Sequence, residues 1–216
     1  KRVDSFISAV DSLLDNQTLR VFLSDHGFTE LKGQVYLNNI LKGLGYLKFR
    51  KADPKFIDDL HPDSLAFAMD PTRIYLNTRQ RFGGSRIPDS RVCEIKSRIK
   101  QDLESLTLSD VGLDANQFPD WGDDRLFSEI KSRDEIYSGK LLDLAPDLVI
   151  IPKNGLDVKA TINATGVASK DIFTGMHTHD DAFLLIGDPD WATKVTSSNI
   201  ECVAGLLPWS SGLILS

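Results

Sequence analysis

Short apolar runs separated by amphipathic segments constrain the fold of this chain most strongly. Residues 147–152 and 182–186 are rich in Val, Ile, Leu and Phe, and each run is long enough for a strand but too short for a buried helix. Upstream of these two runs, apolar residues recur at helical spacing over residues 2–15, 36–47 and 90–107, and shorter β-rich runs stand at 19–23 and 73–77. Strands alternating with helices predict an α/β domain with a mostly parallel sheet, flanking helices, and functional sites at the carboxyl ends of the strands.

The helix predicted over residues 2–15 carries a well-defined apolar stripe. Its spacing is that of an amphipathic helix with one face against a protein core, so we expect this helix to pack on the core. The stripe consists of Val3, Phe6, Ile7, Val10, Leu13 and Leu14.

Composition excludes several classes of protein. The chain has 216 residues, 41% of them hydrophobic, which suits a globular domain with a core. Its formal net charge of -6 leaves no broad cationic surface for nucleic acid, and no apolar run reaches the roughly 18 residues that span a membrane. Cys93 and Cys202 match no spacing of metal ligands and predict a reducing compartment. We therefore expect a cytoplasmic protein that binds neither nucleic acid nor membrane.

An acid and a histidine stand directly after the strand predicted over residues 19–23. Asp25 and His26 offer a carboxylate oxygen and an imidazole nitrogen, which are both zinc ligands, and Gly27 lets the backbone turn behind them. The alternative is a turn capped by Asp25, with His26 as a half-exposed loop residue. The pair alone does not decide between these interpretations.

A second cluster of polar residues precedes the apolar run 182–186. His177 and His179 alternate along the chain, so they would share a face of an extended segment and could both be ligands. Asp180 and Asp181 are more typical of a solvated turn than of a catalytic pair. Further back, the basic segment 79–86 could bind an anionic substrate tail or be exposed loop charge.

Together these motifs resemble a known family. The segment 24–28, Ser-Asp-His-Gly-Phe, followed at a distance by Gly-Met-His at 175–177 and Asp180, resembles the type I phosphodiesterase/nucleotide pyrophosphatase branch of the alkaline phosphatase superfamily. The segments 33–38, 73–77 and 137–149 resemble that family in their order, so the resemblance covers about residues 1–190.

The resemblance implies an alkaline-phosphatase-like fold and a two-metal hydrolase. Asp25 and His26 would ligate one zinc ion and His177 would help to ligate the other, with manganese or magnesium as alternatives to zinc. A Thr or Ser nucleophile would form a covalent phospho-enzyme that water hydrolyses. The substrate would be a small phosphoester or a nucleotide, and His179 would contact its phosphate or face solvent.

The sequence departs from the family pattern before Ser24. No histidine precedes it, and neither the nucleophile nor a second Asp/His ligand pair is found there. We therefore predict that residues 1–216 form one domain unit, the incomplete C-terminal portion of a phosphohydrolase domain, with a small inserted β/hairpin region at about 48–140. The missing N-terminal part would carry the nucleophile, and the chain alone would bind metal weakly and turn over substrate poorly.

Two other functions remain open. The chain could belong to a phosphomutase or a sulfatase-type enzyme of the same superfamily, or it could be a catalytically silent binding domain. The metal-site hypothesis makes a geometric prediction, namely that Asp25, His26 and His177 converge at the same edge of the sheet.

Overall fold

A computed structural model describes residues 1–16, 18–55, 57–83, 87–170, 172–178 and 181–187. Eleven short strands and five α-helices are described over this range, the last five strands following one another without a helix between them. They are α1 (Arg2–Asp11), β1 (Val21–Leu23), β2 (Gly27–Glu30), β3 (Gly33–Tyr36), α2 (Leu37–Gly43), β4 (Ala66–Asp70), β5 (Arg73–Leu76), α3 (Arg79–Phe82), α4 (Val92–Glu104), β6 (Phe127–Ser132), α5 (Arg133–Ile136), β7 (Leu148–Pro152), β8 (Leu156–Lys159), β9 (Ala168–Ser169), β10 (Gly175–Thr178) and β11 (Leu184–Ile186), with short 3-10 helices at Ile57–Asp59, Asp89–Arg91, Ser109–Val111, Ala115–Gln117 and Leu142–Leu144.

The chain divides into two compact units. Unit 1 consists of Lys1–Phe28 together with His177–Ser216, and unit 2 is the continuous stretch Thr29–Met176. None of the helices that the structure describes has the length and hydropathy of a membrane span, and α4, with 13 residues, is much too short. The predicted domain organisation, including an inserted region at about 48–140, stays a prediction.

Unit 2 contains a well-packed apolar core between two sheets and their helices. Strands β4, β5, β7 and β6 form a four-stranded sheet in that order, and β8, β3 and β9 form a three-stranded sheet. Helix α4 buries one stripe against the core because its apolar residues recur every three or four positions. That stripe consists of Ile95, Ile99 and Leu103.

The mixed α/β class is confirmed, whereas the prediction of a mostly parallel sheet is wrong. Every strand pair of the four-stranded sheet is antiparallel, and the parallel pairing of β3 with β8 is the exception among the described ladders. A parallel neighbour needs a crossover of about a dozen residues, but only Pro71 and Thr72 separate β4 from β5. The apolar run of β7 lies between β5 and β6, and a central antiparallel strand can be as apolar as a parallel one.

In unit 1, the predicted helix is confirmed over Arg2–Asp11, but its expected packing against a core is wrong. None of the residues of α1 is buried, and the side chains of Phe6 and Leu13 are 69% and 84% exposed. Helical spacing shows which face of a helix is apolar, but it cannot show what covers that face. The apolar face of α1 is therefore available to solvent in this chain.

Alanine substitutions in α1 and α4 should separate an exposed stripe from a buried one. We expect Phe6→Ala to change the free energy of unfolding by less than about 0.5 kcal/mol, since an exposed side chain loses little contact. The matched variant Leu103→Ala should cost about 2–5 kcal/mol because Leu103 is fully buried. Urea unfolding measures the cost of each variant, and amide exchange in α1 and in α4 reports the local effect of each. A cost for Phe6→Ala equal to that for Leu103→Ala would contradict the exposed placement of α1.

Candidate metal centre

Antiparallel pairing of β1 with β11 determines which loop segments meet in unit 1. Leu23 pairs with Leu184, so the end of β1 lies beside the beginning of β11. Ser24 extends the pairing, because its N–H donates to the Phe183 carbonyl at 3.0 Å and its Oγ accepts from the Phe183 N–H at 2.9 Å. The residues that follow β1 and the residues that precede β11 therefore emerge at the same end of this strand pair.

Two histidines from these segments stack face to face. The ring centroids of His26 and His177 are 3.7 Å apart, with an angle of 22° between the ring planes. The side chain of His26 is 34% exposed, and His177 is exposed on β10. Phe28 adds a third ring, tilted by 53° and 6.0 Å from His177. Two imidazoles that lie 151 positions apart in sequence (177 − 26) are thus neighbours at the surface of unit 1.

Asp25 completes the group of predicted ligands. Its Oδ2 lies 3.4 Å from His26 Nε2, and its side chain is 82% exposed. The other ring nitrogen of His26, Nδ1, lies 2.8 Å from the carbonyl oxygen of Gly27. Because a carbonyl only accepts, Nδ1 carries the proton of this hydrogen bond, which leaves the lone pair of the neutral ring on Nε2, beside Asp25. A backbone carbonyl on the distal nitrogen is a common partner of metal-binding histidine.

The donor set fits divalent metal ions. Two ligands of a tetrahedral zinc ion at about 2.0–2.2 Å lie about 3.3–3.6 Å apart, which includes the separation of Asp25 Oδ2 and His26 Nε2. The stacked rings of His26 and His177 add two imidazoles, which are common ligands of zinc, to the carboxylate of Asp25. Over the described ranges, no group of three or more His, Cys, Asp or Glu residues is arranged to hold one ion.

The structure brings Asp25, His26 and His177 together, while His179 lies outside the described residues. Sequence reasoning missed a further contact near these ligands. Asp181, expected in a solvated turn, accepts a hydrogen bond from the hydroxyl of Thr178. No residue spacing indicated this contact, because it depends on how the chain closes after β10.

In the basic segment 79–86, Arg81 is neither an exposed loop charge nor free to bind an anionic substrate tail. The guanidinium of Arg81 donates to the carbonyl oxygens of Leu144 and Ala145 and to the carboxylate of Asp147. Its side chain is mostly buried, so Arg81 holds unit 2 together and is not a free anion ligand. Residues 84–86 lie outside the described ranges.

Comparison with known proteins identifies the family of the chain. A family model described as type I phosphodiesterase / nucleotide pyrophosphatase matches residues 1–180. The chain belongs to the type I phosphodiesterase/nucleotide pyrophosphatase family. This family consists of phosphoester hydrolases, and at that level the chain is assigned to the hydrolases. No curated protein and no solved structure matches the chain.

Proposed function

We propose that this chain supplies Asp25, His26 and His177 to the two-metal site of a phosphoesterase that hydrolyses small phosphodiesters or nucleotide pyrophosphate bonds. The observation that carries the proposal is the stack of His26 on His177 with the Asp25 carboxylate beside it. Membership in the type I phosphodiesterase/nucleotide pyrophosphatase family supports the same class of reaction.

In this proposal the three residues are divided between two metal ions. Asp25 and His26 would hold one ion, zinc or alternatively manganese or magnesium, and His177 would help to hold the second. When bound, two such ions stabilise the charge that develops on the attacking and leaving oxygens at phosphorus. The hydrogen bond from His26 Nδ1 to the Gly27 carbonyl supports the orientation of the ring, with Nε2 beside the Asp25 carboxylate. His179 is proposed to contact the substrate phosphate.

The proposal also assigns the nucleophile to a partner segment. Unit 1 leaves large apolar side chains exposed on both of its described parts, and a two-stranded sheet such as β1–β11 is only marginally stable by itself. These surfaces support a covering segment, which we propose to be the N-terminal part of the same phosphohydrolase domain. That part would contribute the Thr or Ser nucleophile of a covalent phospho-enzyme and the remaining metal ligands. The exposed side chains are Val3, Phe6, Val10, Leu13, Phe28, Phe183 and Leu185, among others.

Hydrolysis of bis-p-nitrophenyl phosphate tests the proposed function. We expect the protein that joins residues 1–216 to the proposed N-terminal part to release p-nitrophenol with zinc and to lose this activity when a chelator removes the metal. The isolated chain should show at most weak turnover, because it lacks the nucleophile in this proposal. Activity that survives chelation would contradict the metal mechanism. Metal binding without hydrolysis in the joined protein would instead favour a catalytically silent binding domain.

A further inference from the structure

We propose that Gly27, Thr178 and Asp181 form a latch that positions His26 and His177 against each other. The proposal rests on the proposed function in one respect, because it takes the two histidines to be metal ligands. It assigns a positioning part to three residues that would not themselves touch metal or substrate. All five residues belong to unit 1.

Gly27 is needed for space and not for an unusual backbone angle. A Cβ atom built on Gly27 would overlap the carboxylate of Asp181 and the hydroxyl of Thr178, so any side chain there would push these groups away. The backbone of Gly27 is not in the positive-φ region, which excludes a purely conformational reason for the glycine. The absence of a side chain therefore lets the Asp181 carboxylate lie directly on the backbone beside His26.

Thr178 connects this contact to the second histidine. Its hydroxyl donates to Asp181 Oδ1, and its side chain is buried at 6% exposure. Successive side chains of a strand point to opposite faces, so a buried Thr178 on β10 directs the neighbouring His177 outward, where it is exposed. Strand β10 pairs with β2, which begins at Gly27.

The latch thus acts one position along the chain from each histidine. Gly27 follows His26, and Thr178 follows His177, so contact between the latch residues aligns the two backbones that carry the rings. Loss of the contact should leave both imidazoles present but free to separate. This predicts weaker metal binding without the removal of any ligand. We expect an effect of the size seen when other groups that hold metal ligands in place are lost.

Variants of Thr178 test the latch with the least disturbance of folding. Thr178→Val keeps the shape and strand propensity but removes the hydroxyl, and Thr178→Ser keeps the hydroxyl. We expect Thr178→Val and Gly27→Ala to weaken zinc binding by about 10- to 100-fold in calorimetry, and Thr178→Ser to restore it to within about threefold of the unmodified chain. Gly43→Ala is the control, because a Cβ at Gly43 meets no other atom within 4 Å.

Imidazole NMR of the metal-free chain provides the second measurement. Stacked rings shift each other's proton signals, so Thr178→Val should move the ring signals of His26 and His177 while those of His61 stay in place. Unchanged ring signals and zinc affinity in Thr178→Val would overturn the latch, as would equal losses in Thr178→Val and Thr178→Ser. The ring signals are measured without metal, so they decide on the latch even if the unmodified chain alone binds no zinc. Failure of the proposed function would show separately, as loss of metal-dependent hydrolysis in the joined protein.

Discussion

Replacement of Asp147 by alanine is expected to lower the free energy of unfolding of unit 2 by about 3–5 kcal/mol. The Asp147 side chain is only 9% exposed, and its Oδ2 accepts hydrogen bonds from the Leu76 N–H at 2.8 Å and from Arg81 Nη1 at 3.1 Å. Arg133 Nη1 lies 3.8 Å from Oδ1. Alanine would leave two largely buried guanidinium groups without their shared carboxylate and a buried backbone N–H without an acceptor, which explains the size of the effect.

Urea unfolding of Asp147→Ala measures this loss, and an exposed ion pair in unit 2 provides the control. Asp120 lies 3.2 Å from Lys32 Nζ, but its side chain is 86% exposed. Asp120→Ala should therefore cost no more than about 1 kcal/mol. Equal effects of the two variants would show that the carboxylate of Asp147 is not the buried anchor that links β5, α3 and α5.

Loss of a single histidine of the candidate centre is expected to weaken zinc binding by at least about 100-fold. Loss of a hydrogen bond behind a metal ligand costs about 10- to 100-fold in affinity, and removal of the ligand itself should cost no less. His26→Ala and His177→Ala should both show this loss in calorimetric titration. Asp25→Asn should weaken binding to a smaller extent, because it keeps an oxygen ligand but removes its negative charge.

His61 is the matched control for these variants. Like His26, it is partly exposed and lies near a carboxylate, with 3.6 Å between His61 Nδ1 and Asp63 Oδ2. Its Nδ1 accepts a hydrogen bond from the Asp63 N–H, whereas Nδ1 of His26 faces a carbonyl. His61→Ala should leave zinc affinity unchanged. An equal loss in His61→Ala and His26→Ala would mean that the chain binds zinc through scattered surface histidines.

The local elements of the fold could be predicted from the sequence, but the direction of strand pairing could not. Helical spacing located α1, α2 and α4, and apolar runs located β7 and β11. These patterns show which segments are apolar. An apolar run looks the same in a parallel strand and in a central antiparallel strand, so it does not give the direction of pairing. The exposure of the apolar stripe of α1 could not be predicted either, because periodicity shows which face of a helix is apolar but not what covers it.

The candidate site, like the fold, could be predicted only in part from the sequence. The family resemblance predicted that Asp25, His26 and His177 converge, but the sequence did not show which strand pairs bring them together. In the structure, β1 pairs with β11 in antiparallel fashion and β2 pairs with β10, which carries His177. Binding of metal by these three residues stays a prediction. The contact of Thr178 with Asp181 could not have been predicted, since it depends on atomic positions that no spacing rule specifies.

Zinc titration of the 216-residue chain, followed by the ring nitrogen signals of its histidines, tests the metal-site proposal most directly. We predict that the Nε2 signal of His26 and a ring nitrogen signal of His177 shift over the same range of zinc concentration, while the signals of His61 do not move. A titration in which neither His26 nor His177 responds, or in which His61 responds equally, would contradict it.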